Sequence, residues 1–143
     1  MAIGLRALSV CMGLFLLFMG LDKTGWLIDD GTLRAELERW RGLAPAASRW
    51  YLESIAIPGA PLFARLVLLG ELASGAALLL GYRVRLAASV ALLMILNFHF
   101  ASGIMFTSGY VTNGYGLPVL GGLLALSLGG AGLPFAISLS RRT

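Results

Sequence analysis

The sequence carries four long apolar runs, at about Ile3–Leu21, Pro61–Leu80, Leu86–Phe106 and Tyr115–Leu139. A helix needs about 20 mostly apolar residues to cross the hydrocarbon core of a bilayer. Each run therefore predicts a membrane-spanning helix, with Pro134 kinking or ending the core of the last. The composition agrees with that reading: 58% of residues are hydrophobic and 13% charged, where a soluble domain carries about 25% charged residues. So little charge cannot cover a surface in water. The expected class is an all-α integral membrane four-helix bundle, and the 143 residues are read as one membrane domain.

A formal net charge of +4 suggests a nucleic-acid partner at first sight. The 11 basic residues are scattered, however, and several sit at the ends of apolar runs. That is a membrane-topology pattern rather than a phosphate-binding stripe, so no nucleic acid is expected. Cys11 is the single cysteine, which excludes an internal disulfide and any CxxC redox pair. Arg6 precedes an apolar stretch as in a secretory signal, but no small-x-small cleavage site follows. The run ends instead in Gly20-Leu21-Asp22-Lys23 and is read as a retained first helix.

Residues 22–60 form the one substantial polar connection. From Thr32, a plausible N-cap, to Trp40 the pattern predicts a short amphipathic helix with Leu33, Leu37 and Trp40 on one face. Pro45 breaks it, and Ala47–Ile55 predicts a second short helix carrying Trp50 and Tyr51. With Trp26 and Trp40, these aromatics suit the headgroup level, so the connection is expected to lie along the membrane and partly cap the bundle.

The second and third runs are joined only by Gly81-Tyr82-Arg83-Val84-Arg85. So short a turn makes their helices antiparallel neighbours. With that turn in the cytoplasm, Arg6, Arg83, Arg85, Arg141 and Arg142 are all inside. The opposite side then holds residues 22–60, with five basic and six acidic residues, and the uncharged Thr107–Gly114 loop. The positive-inside bias gives a multi-pass inner-membrane protein with both termini inside and the 22–60 connection extracytoplasmic. Small residues recur where helices must approach closely in lipid, as Ala73, Ala77 and Gly81, with Gly70 and Ser74 beside them, and as the glycines of the fourth run.

Glu71 is the most informative residue, because it stands mid-run among Leu68, Leu69 and Leu72. A charge at the bilayer centre costs about 3 kcal/mol on insertion scales, so it persists paired, protonated or lining a wet cavity. Its two readings are a proton-active or ligand-binding group and a structural carboxylate that fixes the bundle. Depth suggests a partner. Glu71 lies about 15 Å from the Gly81 turn and Asn97 about 18 Å from Arg85, at 1.5 Å per residue. Asn97 is thus expected to meet Glu71. His99, two residues on and on another face, is a candidate for proton relay, for an axial ligand to a haem or chlorophyll, or for a structural hydrogen bond. A single histidine without clustered cysteines builds no metal site. Arg65 is expected near the outer surface, within reach of Asp22, with Lys23 able to meet headgroups. No Ser-His-Asp set, phosphate-binding glycine loop or HExxH is present.

Several of these elements resemble the DoxX/DoxD-like membrane proteins. They are Arg6 opening the first helix, the Gly20-Leu21-Asp22-Lys23 exit, the Pro58-Gly59-Ala60-Pro61 entry, and the stretch from Glu71-Leu72-Ala73-Ser74-Gly75 through Leu79-Leu80-Gly81-Tyr82-Arg83-Val84-Arg85-Leu86-Ala87. The last is similar to an E-x-x-x-G…L-L-L-G-x-x-x-R-x-A signature, and the similarity runs to about residue 105. The resemblance implies a small four-helix membrane subunit linked to quinone-dependent oxidoreductases. Glu71, Asn97 and His99 would be its candidate quinone contacts, Glu71 and His99 its candidate proton-active groups, and Asp22, Lys23, Arg65 and Arg85 its structural polar residues. No covalent cofactor is expected, a quinone is the candidate ligand, and electrons would come from a partner. The alternative is an accessory subunit of a larger respiratory or photosynthetic complex, with no chemistry of its own. In either case the partners are the bilayer and other membrane subunits or further copies of the chain. A solute or proton carrier is disfavoured, since no inverted repeat is visible.

Overall fold

The computed structural model describes residues 2–135. Helix α1 spans Ala2–Asp22, α2 Gly31–Leu43, α3 Ala46–Tyr51, α4 Ala60–Leu80, α5 Val84–Ala101 and α6 Leu117–Gly129. Three of them, α1, α4 and α5, are long and apolar enough to cross a membrane. No strand occurs among the described residues.

The fourth run is shorter than expected. Helix α6 has 13 residues, about 20 Å of rise against the ~30 Å hydrocarbon core. Its C-terminal glycines end it, and the chain turns at Gly130 well before Pro134. Residues 136–139 of the predicted span, with Arg141 and Arg142, lie outside the described residues. Helix α5 begins two residues before the predicted start and stops five residues before the predicted end. The stop is Gly103, at φ +73° with Pro45 packed against its Cα. An L side chain there would be strained and would strike the proline ring.

Packing is closest between α1 and α4. A Cβ on Gly75 would come within 2.7 Å of the Leu17 amide, and one on Gly13 within 2.8 Å of the Leu79 amide. The two backbones touch, as small residues permit in lipid-facing bundles. Ser9, Gly13, Leu16 and Gly20 give α1 its buried face. On α4 the buried face runs through Ala64, Leu68, Glu71, Gly75 and Leu78. The predicted Ala73–Ala77–Gly81 stripe is not that face, because Ala73 is exposed. α5 lies beside α4 and α6 beside α5, with α6 returning to α1. Large side chains point outward: Phe18, Leu62, Leu93 and Leu128 are each more than 60% exposed. Small residues inside and large apolar residues outside suit a solvent of hydrocarbon.

At one end, basic side chains close the helix C-termini. Arg6 donates to Leu78 O and Leu79 O at 3.0 and 2.7 Å, and Ser9 Oγ to Leu78 O at 2.7 Å. Arg85 Nε donates to Ser127 O of α6 at 3.0 Å. Cations there complement the free carbonyls and the helix dipole.

At the other end, α2 and α3 form a cap. Leu33, Leu37 and Leu52 are buried in a second apolar cluster with Ala60, Ala64 and Ala101, and Trp40 packs against it. The predicted amphipathic face is therefore the docked face. The helix starts earlier than Thr32, with Asp30 as N-cap and Asp29 Oδ1 accepting the Gly31 amide at 2.8 Å. Pro45 separates α2 from α3, as expected. Ser48 Oγ donates to Phe100 O at 2.6 Å and so ties the cap to the end of α5.

Candidate functional site

A cavity of about 560 Å³ lies under the cap. Its wall is assembled from five of the six helices and the loop before α6: Phe15 and Met19 of α1, Thr32, Leu33, Glu36 and Trp40 of α2, Glu71 of α4, Ile95, Phe98 and His99 of α5, Tyr110 and Tyr115 of the following loop, and Val119 of α6. Most of this wall is apolar. The cavity exists because α1 ends near the level of Glu71 while α4 continues outward to Ala60, and the cap fills only part of the difference.

Two polar pairs face the cavity. The first is a buried salt bridge. Lys23 Nζ donates to Glu71 Oε2 at 2.9 Å and to Oε1 at 3.1 Å, and its third bond goes to Met19 O at 2.9 Å. The side chains are 12% and 7% exposed. Lys23 follows the last residue of α1, so its ammonium turns back to take a free terminal carbonyl and reaches the carboxylate. The indole of Trp26 lies 5.7 Å from the ammonium, within cation–π range. All three ammonium protons are committed, whereas each Glu71 oxygen keeps a lone pair.

The second pair is His99 Nδ1 with Tyr110 Oη, at 2.9 Å, the rings meeting edge to face. The roles of the two atoms follow the histidine tautomer, and with the tyrosine as donor Nδ1 is the acceptor. The His99 proton then sits on Nε2, leaving an N–H to offer. Burial raises the Tyr110 pKa above the ordinary tyrosine value, so the hydroxyl keeps its proton.

The sequence-predicted residues are thus distributed as follows. Glu71, His99 and Lys23 line one cavity. Asn97 does not reach Glu71. Its Oδ1 accepts from Tyr51 Oη at 2.6 Å, beside a separate void of about 20 Å³. The side chain turns toward α3, near Phe63 and Val67 of α4 rather than Glu71. The expected Asp22–Arg65 contact is also not formed. Arg65 Nη1 donates to Pro61 O within its own helix at 2.5 Å, and Asp22 is exposed. Tyr110, Glu36 and Trp40 complete the wall without having been candidates. Glu36 faces the cavity and pairs with Arg39 on α2.

Membrane-length apolar helices, an outward-facing girdle of large apolar side chains and a polar pair buried at mid-helix define a helical membrane protein. The chain belongs to the DoxX family, whose model matches residues 4–103. The match covers α1 to α5, including Lys23, Glu71 and His99, and stops before Tyr110 and α6. No curated protein and no solved structure matches the chain.

Proposed function

We propose that the chain is a membrane subunit that holds a quinone head group in the capped cavity and serves a quinone-linked membrane oxidoreductase. The observation that carries this reading is the cavity itself. Ligand sites are typically about 300–1,000 Å³, mostly apolar, with a few placed polar groups, and this one has 560 Å³ with Glu71 and His99 on its wall.

The residues fit such a ring. Phe15, Phe98 and Trp40 offer flat apolar surface. Glu71 accepts a bond from a ligand hydroxyl and can hold its proton, while the His99 N–H donates to a ligand carbonyl. Lys23 keeps Glu71 in place. Bound there, a quinone would supply two-electron, two-proton chemistry, with a redox partner protein delivering the electrons.

The same reading sets the topology. Arg6, Arg83 and Arg85 mark the cytoplasmic face of the inner membrane, the α2–α3 cap is outside, and α6 with the rest of the fourth run completes a fourth crossing. The test is quinone content after purification from native membranes in mild detergent. Wild type should retain quinone, and Ser102→Phe, which fills the cavity from the end of α5, should lose it while eluting unchanged. Quinone no higher in wild type than in an unrelated membrane protein from the same membranes contradicts the proposal.

One observation favours a second reading, an accessory subunit of a larger complex. Among the described residues no buried side-chain polar atom lacks a partner, so the buried pairs are complete as structural ties. That reading expects tight co-purification with large partners, no quinone, and tolerance of Ser102→Phe.

A further inference from the structure

The seam between α1 and α6 is packed on glycines along the half away from the cap and borders the cavity along the half toward it. Away from the cap, Leu8 and Met12 pack on Gly122, and Leu5 on Gly129. Toward the cap the rings of Phe15 and Tyr115 meet, 6.0 Å apart and tilted by 36°. The cavity is lined from both sides of this seam. Met19 and Lys23 are on one side, Asn113, Gly116 and Val119 on the other.

The cavity has two rims of different chemistry. On the cap its lining includes the polar side chains of Thr32, exposed, and Glu36, half-exposed, beside Trp40. Its exposed lining at the seam is apolar: Met19, 36% exposed, and Tyr115, 64% exposed, beside Phe15. Outside that rim stand Phe18 and Leu117, 66% and 48% exposed, on the surface that faces hydrocarbon in a membrane.

We infer that the α1–α6 seam is a lateral portal, and that the ligand of the cavity is a lipid-resident molecule with a polar head beside Lys23–Glu71 and a long apolar tail leaving between Phe15 and Tyr115. This rests on the quinone reading above and narrows it to isoprenoid quinones that stay in the bilayer. The seam divides the work by solvent. The polar rim is open to water and to proton exchange, and the apolar rim matches a hydrocarbon chain. Of this pair Tyr115 is largely exposed, and it meets Phe15 through ring contact with no hydrogen bond between them among the described residues.

The test uses two photoactivatable ubiquinone analogues on the full chain in lipid nanodiscs, one with a diazirine on the ring and one with a diazirine at the tail terminus. Labelled peptides are mapped by mass spectrometry, with excess unlabelled ubiquinone as competitor. The inference expects the ring probe on peptides bearing Lys23, Glu71 or His99, and the tail probe on the exposed residues of α1 and α6 that border the seam, both lost on competition. Ring label in the cavity with tail label on the α2 cap, or on the α4–α5 face, overturns the portal and leaves the quinone reading standing. Absence of competed ring label in the cavity overturns both. A Tyr115→Ala variant should speed uptake of the tailed analogue by a larger factor than uptake of a tail-less benzoquinone. Equal acceleration of both also counts against the portal.

Discussion

At the scale of residues, the site rests on how two charges are kept away from water. Lys23 and Glu71 satisfy one another, and removing one partner leaves the other buried and uncompensated. Such a loss typically costs 3–5 kcal/mol, whereas replacing both by apolar groups is often close to neutral. Lys23→Met and Glu71→Leu should each destabilise the protein by about that amount, and the double variant should recover most of it. Reversible unfolding in detergent micelles measures all four corners of the cycle, and strictly additive losses would show that the pair is not coupled. Tyr110→Phe removes the hydroxyl that is hydrogen-bonded to His99 Nδ1. It should cost about 1–2 kcal/mol and release the imidazole from the Nε2–H tautomer. Nitrogen chemical shifts of the labelled ring report that change directly, and identical spectra for variant and wild type would refute the assignment.

At the scale of elements, the backbone contact of α1 with α4 orients everything above it. Gly75→Leu must push Leu17 and its backbone away, an overpacking cost of about 1–3 kcal/mol or more. Ala73→Leu, on the exposed side of the same helix, should cost nothing measurable. Thermal unfolding of the two variants in one detergent separates them, and equal losses would mean that α4 presents another face to α1. The cap makes a parallel prediction. Leu33 is 1% exposed, and Leu33→Ala should weaken cap docking by about 2–5 kcal/mol, read as faster proteolysis within residues 31–43.

Which of these elements were legible follows from what sets them. The long helices were visible because hydropathy and length answer to one quantity, hydrocarbon thickness, and α1 and α4 lie within one residue of their predicted ends. The ends of α5 and α6 were placed too late. Phe106 and Leu139 extend the apolar pattern, but Gly103 and Gly130 stop the helices for reasons of backbone conformation and packing. The buried acid was legible from its cost alone. Its partner was not, because Lys23 lies 48 residues away and reaches Glu71 only by turning back over its own helix. Tyr110 was hidden in a loop without charge or periodicity.

For the whole molecule, the proposed topology puts two ends of different chemistry on opposite sides of a bilayer, with the cavity near the outer one. Arginines cap helix C-termini at one end, and the amphipathic cap covers the cavity at the other. Cysteine accessibility in sealed, oriented vesicles tests this most directly, using Cys11→Ala as the background and single substitutions at Arg83, Ser102 and Leu93. A membrane-impermeant maleimide should modify Ser102→Cys only from outside, with protection by added ubiquinone, and Arg83→Cys only from inside. Leu93→Cys, on the lipid-facing side of α5, should stay unmodified. Reaction of the Ser102 and Arg83 positions from the same side would contradict the account.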